Sequence, residues 1–141
     1  MVNEKQRIDA NEIQPDLLPE GFDASEIFKE GVLNLARESL TTEEANQVIR
    51  FVIASNPIKS IQNLNLGLNN LSEVPQEVFN LIYLQTLDLS GNSINQIPKF
   101  INQLKDLEYL LIGRENNLDS ETINFLKGLL LRRPNLYIDI T

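Results

Sequence analysis

The residues from Ile61 to Leu107 contain one pattern twice, and no other feature restricts the fold as strongly. The first copy runs Ile61, Leu64, Leu66, Asn69, Leu71, Val74, Pro75, Val78, Leu81. The second runs Leu84, Leu87, Leu89, Asn92, Ile94, Ile97, Pro98, Ile101, Leu104, each 23 positions after its counterpart. A fixed period of this length is the signature of a stacked structural repeat. In Leu64, Asn65, Leu66 and again in Leu87, Asp88, Leu89 apolar and polar residues alternate, so a short strand turns its leucines inward and its polar residues out. Asn69 and Asn92 follow where the chain must leave the strand, and their side chains can satisfy backbone groups that the turn would otherwise leave unpaired. Pro75 and Pro98 disfavour a regular helix on the returning side. One copy cannot bury its apolar edge alone, so copies must stack.

The pattern LxxLxLxxNxL, filled twice without a fault, resembles that of the leucine-rich repeat family. The resemblance implies an α/β solenoid with short parallel strands on a concave face, and it covers residues 56–141. Two short repeats with convex-side prolines are flanked by two longer ones of the ribonuclease-inhibitor-like kind, whose helix-to-strand joint is seen at residues 55–61. The joint returns where a helical pattern from Asp119 through Leu126 and Leu130 stops at Arg132, Arg133 and Pro134 before a strand at residues 136–140. Arg132 and Arg133 suit the negative end of that helix. A third repeat at Leu107, Leu110 and Ile112 places its next leucine, Leu118, one position late, and either Asn116 or Asn117 could join the asparagine ladder.

Ahead of the repeats, Asp23 and Glu26 have capping-box spacing, and Ile27, Phe28, Val32, Leu35, Ala36 and Leu40 recur at helical intervals. A helix over residues 24–39 is expected, with Gly31 its weak point. Thr41 and Glu44 repeat the signal before the stripe Ala45, Val48, Ile49, Val52. Residues 22–55 therefore read as an N-terminal helical cap, and residues 22–141 as one compact domain. Residues 1–21 read as an acidic arm, either without fixed structure or docked on the first helix through Ile13, Leu17 and Leu18. The first forty residues carry nine acidic and four basic side chains, so much of the net charge of −8 is concentrated there.

That charge argues against a nucleic-acid partner, which needs a basic stripe. No apolar run is long enough for a membrane span, and the start has no signal-peptide pattern. Cysteine is absent, which favours a reducing compartment, the cytoplasm or a host cytosol. With no His and no Cys, histidine bases, thiol nucleophiles and the common zinc sites are excluded, and no phosphate-binding glycine loop occurs. No cofactor is expected. A carboxylate pair, Asp88 with Glu108 on adjacent strands, leaves a hydrolase formally open.

The family resemblance implies that partners bind the concave face. The candidate positions carried onto this chain are Asn65, Leu68, Gln85, Asp88, Glu108, Tyr109, Leu111, Arg114 and Tyr137. Aromatic and arginine anchors favour Tyr109, Leu111, Arg114 and Tyr137 among them. The expected function is non-catalytic protein binding by a chain that is monomeric when free, as an adaptor or an inhibitor that covers a partner's functional surface. Repeat type, size and lack of Cys resemble small effectors of intracellular bacteria. The alternative is self-association through the open edge of the last strand.

Overall fold

The computed structural model describes residues 18–141; the expected arm lies almost entirely outside them. Six strands form one sheet in sequence order: β1 Phe28–Lys29, β2 Val32–Asn34, β3 Asn63–Asn65, β4 Thr86–Asp88, β5 Tyr109–Leu111 and β6 Tyr137–Asp139. All neighbouring pairs from β2 to β6 are parallel, whereas β1 runs antiparallel to β2. Leu33, Leu64, Leu87, Leu110 and Ile138 stand in one file across the parallel strands. The first four of these side chains are fully buried, as are Leu35, Leu66, Leu89 and Ile112 two residues on. From Leu64 to Ile112 these are the positions at which the repeat pattern points inward.

On the returning side, the two proline-bearing repeats make short 3-10 turns, Gln76–Asn80 and Lys99–Gln103, each beginning directly after its proline. Pro75 and Pro98 hold φ near −60° and have no N–H to lose at a helix start. The outer repeats carry full helices there: α2, Thr42–Ser55, and α3, Ser120–Arg132; α1 is the single turn Ala24–Ile27. Thr41 and Glu44 form a reciprocal capping box, and Ala45, Val48, Ile49 and Val52 are buried. Asn46 Oδ1 accepts the Glu77 N–H at 2.9 Å, and Arg50 pairs with Glu77 at 3.2 Å, so α2 is fastened to the next repeat.

The helix expected over residues 24–39 is absent. After α1 the chain turns through Glu30 (φ 51°) and Gly31 (φ 85°) into a β1–β2 hairpin. Two left-handed residues are what a tight hairpin turn requires, and Gly31 supplies one without strain. Leu33 and Leu35 then enter the sheet beside Leu64 and Leu66. Residues 22–55 are thus no two-helix cap: they comprise a sealing hairpin and a further long repeat, 31 residues ahead of the next, whose convex element is α2. Burial against β3 outweighs the local helical periodicity, a common outcome when tertiary contacts compete with propensity.

The asparagine ladder resolves the third repeat. Asn69 Oδ1 accepts the N–H groups of Glu38 (3.1 Å) and Leu40 (2.8 Å), and its amide donates to Leu35 O, Leu66 O and Gly67 O. Asn92 accepts from Leu71 N at 3.0 Å and donates to Leu66, Leu89 and Ser90 carbonyls. The next rung is Asn116, which accepts from Ile94 N at 2.8 Å and donates to Leu89 O and Ile112 O. The inserted residue is absorbed by a 3-10 turn, Arg114–Asn116, between Gly113 (φ 71°) and left-handed Asn117 (φ 38°).

Candidate functional site

Strand register arranges the outward side chains in files across the concave face. One file is Val32, Asn63, Thr86, Tyr109 and Tyr137; the next is Asn34, Asn65, Asp88, Leu111 and Asp139. Five parallel strands at about 4.8 Å spacing make this face about 19 Å wide, one strand wider than the sequence alone implies.

Tyr109 and Tyr137 are register partners. Their ring centroids lie 6.1 Å apart at 59°, a tilted pair, and the residues are 49% and 53% exposed. A tilted arrangement lets the positive edge of one ring meet the negative face of the other. Leu111, two residues along β5, is half-buried between Asp88 and Asp139. Val32 adds an exposed apolar side chain at the other end of the tyrosine file.

The second file has an internal duty that the sequence reading missed. Asn34, Asn65, Asp88 and Asp139 each accept, through Oδ1, the N–H of the residue two positions on: Ala36 at 3.2 Å, Gly67 at 2.9 Å, Ser90 at 2.9 Å and Thr141 at 3.0 Å. Asp88 and Asp139 also take the hydroxyls of Ser90 (2.6 Å) and Thr141 (2.7 Å). For Asp139, the Thr141 hydroxyl first and its backbone N–H second hold the carboxyl below its ordinary pKa. The visible signal is an Asn or Asp two positions before a small residue where a strand ends, the local bond these side chains favour. Leu111 interrupts the file, and Gly113 N–H turns instead to Asp139 O at 3.1 Å.

The remaining candidates frame the face. Gln85 and Glu108 precede β4 and β5; Gln85 O accepts the N–H groups of Glu108 and Tyr109, and Glu108 O that of Tyr137. Their side chains line an open cleft of about 560 Å³ that also includes Arg133. Leu68 and Arg114 stand at the opposite rim. Leu68 is 48% exposed although its backbone is left-handed at φ 57°. Arg114 is exposed at the start of the inserted turn. Asp88 faces Leu111 in the register, and Glu108 precedes Tyr109, the partner of Thr86. The two carboxylates are therefore not cross-strand neighbours, which removes the geometric basis of the hydrolase alternative.

Arg133 stands at the end of α3 as the sequence implies, but the reach of its side chain was not visible there. Its backbone N–H caps α3 by donating to Leu129 O at 2.8 Å. Its Nη2 donates to Leu104 O (2.9 Å), Lys105 O (3.3 Å) and Leu107 O (3.1 Å), tying the last repeat to the one before.

A parallel sheet built from consensus leucines, with an asparagine ladder at its exit, defines a class of protein. Residues 59–118 match the family model described as leucine rich repeat. The chain is similar to disease resistance protein RFL1 of Arabidopsis thaliana, with 39% identity over 72 residues, 50% of this chain and 8% of the relative. A probable disease resistance protein of the same plant is 27% identical over 105 residues, 65% of this chain and 14% of the relative. The chain thus spans only a small part of these relatives' length. Leucine-rich repeat domains generally mediate protein–protein interaction and are generally non-catalytic. Among the described residues, no helix is long and apolar enough to cross a membrane.

Proposed function

We propose that the chain acts without catalysis, by binding another protein through the concave face around β5 and β6. The observation that carries this reading is the Tyr109–Tyr137 pair, two half-exposed rings side by side with Leu111 on the same face. Rigid aromatic side chains lose little entropy on binding and are over-represented among residues that dominate interfaces. Glu108, Gln85 and Arg114 form the polar surround, and Leu68 gives an apolar point on the far rim. A specific interface buries about 800 Å² per partner, so the partner also touches the rims. The role is that of an adaptor or an inhibitor in a reducing compartment, the cytoplasm or a host cytosol. The bacterial-effector reading rests on repeat type, size and lack of Cys alone, and both relatives are plant proteins.

The test is affinity capture with the wild-type chain beside a Tyr109→Ala, Arg114→Ala variant, with recovered proteins identified by mass spectrometry. A protein held by wild type and lost by the variant supports the concave site. Equal recovery by both baits excludes it.

One observation favours self-association as a second reading. Ile138 and Ile140 continue the files of Leu110 and Ile112 but remain partly exposed at the edge of β6. A concentration-dependent mass in light scattering, abolished by Ile140→Lys, supports it; a monomer at every concentration removes it.

A further inference from the structure

The sign of charge on the concave face narrows the chemistry of the partner, given the concave-site reading above. From β2 to β6 the outward strand positions hold the carboxylates of Asp88 and Asp139 and no lysine or arginine, Arg114 standing beyond them on the rim. A purely apolar partner would strip water from these carboxylates without replacing it, which is costly. An acidic partner would add like-charge repulsion. A cation is the complement.

The geometry around the tyrosines fits one. Ring faces attract a guanidinium or ammonium within about 6 Å of the centroid, and Tyr109 and Tyr137 are both half-exposed. Asp139 lies two residues beyond Tyr137 on the same face, about 7 Å along the strand. Thr141 engages only Oδ1 of Asp139, leaving Oδ2 for a ligand. Leu111 gives the aliphatic stem of a long cationic side chain an apolar floor.

We propose that the concave face receives an arginine- or lysine-bearing protein segment, its cation seated on Tyr109 and Tyr137 and flanked by the carboxylate of Asp139. The experiment uses the full chain, isotopically labelled, titrated by NMR with three synthetic peptides of sequence Gly-Xaa-Leu-Xaa-Gly, where Xaa is arginine, its neutral isostere citrulline, or glutamate. The arginine peptide is expected to shift the amides of Tyr109, Leu111, Tyr137 and Asp139, with binding weakened by salt and about tenfold weaker for citrulline. Asp139→Asn should weaken it several-fold while preserving the turn, because Asn65 makes the same bond to Gly67 at the equivalent place. Equal shifts with citrulline, shifts that map elsewhere, or none with any peptide at millimolar concentration overturn the proposal. The parent reading fails separately: a captured protein lost on Tyr109→Ala but indifferent to salt and to Asp139→Asn refutes only the cation, whereas indifference to Tyr109→Ala refutes both.

Discussion

Leu68 fills the space that a side chain at Gly91 would need: a Cβ on Gly91 would stand 2.5 Å from Leu68 Cδ2. The two residues occupy equivalent places in successive repeats, and both are left-handed, at φ 57° and 71°. One repeat thus keeps a bulky residue in a backbone conformation that disfavours it, and its neighbour makes room with glycine.

Gly91→Ala is expected to cost about 2–4 kcal/mol, the sum of left-handed strain and overpacking. In a Leu68→Gly background the side-chain collision is gone and only the 3.2 Å approach to the backbone nitrogen of residue 68 remains, so the cost should fall to about 1–2 kcal/mol. Urea denaturation of the four proteins in the cycle measures the difference; additive costs would show that Leu68 and Gly91 do not interact.

The ladder makes a sharp distinction between adjacent asparagines. Asn116→Ala strands buried groups on Ile94, Leu89 and Ile112, each worth about 1–3 kcal/mol, so a loss of about 3 kcal/mol or more is expected. Asn117→Gly relieves an exposed left-handed residue and should be neutral or stabilising by up to about 1 kcal/mol. Comparable thermal destabilisation by both would contradict the assignment of the rung.

Arg133→Met leaves three carbonyl oxygens of the preceding repeat without their guanidinium donor, at a cost of about 1–3 kcal/mol. Arg132→Met should change stability by less than about 0.5 kcal/mol, as for an ordinary surface position. Hydrogen exchange at Tyr137 and Asp139 reports whether the last repeat loosens first.

Asp119 links pH to the last helix. Its carboxyl is held below the ordinary range first by the Thr122 N–H and then by the Gln96 side chain. A depressed pKa in the folded state stabilises above the unfolded value of about 3.9, and that contribution is lost as pH falls further. Asp119→Asn should therefore flatten the decline in melting temperature below about pH 4 relative to wild type. An identical acid limb in both proteins would dismiss the link.

Much of this fold can be read from residue order alone because the two 23-residue copies leave little freedom: Leu64, Leu66, Leu87 and Leu89 can only share a core by stacking. The segment before them was harder, for a physical reason. Leu33, Leu35, Glu38 and Leu40 have the spacing of Leu64, Leu66, Asn69 and Leu71, but Glu38 stands where the asparagine should be. Each ladder asparagine accepts N–H groups from the repeat before it. Among the described residues the neighbour of β2 on that side is the antiparallel β1 and not another repeat, so the residue that announces the motif is dispensable there, and the helical intervals of Ile27, Val32 and Leu35 dominate. At the site, Tyr109 and Tyr137 are recognisable from residue type and strand position, but their adjacency depends on which residues pair across β5 and β6. The duties of Asn65 and Asp88 toward their own backbones are local and could be read from spacing; the reach of Arg133 across repeats could not.

The constant offset between Leu64, Leu87 and Leu110 has a consequence for descent. Deleting residues 70–92 would join Asn69 to Ser93, the residue that already follows Asn92, and every remaining strand would keep its neighbours in step. Unequal crossing-over at such a junction changes the width of the recognition surface by whole strands. The number of repeats can thus drift as a single heritable count, while selection on individual outward residues proceeds independently.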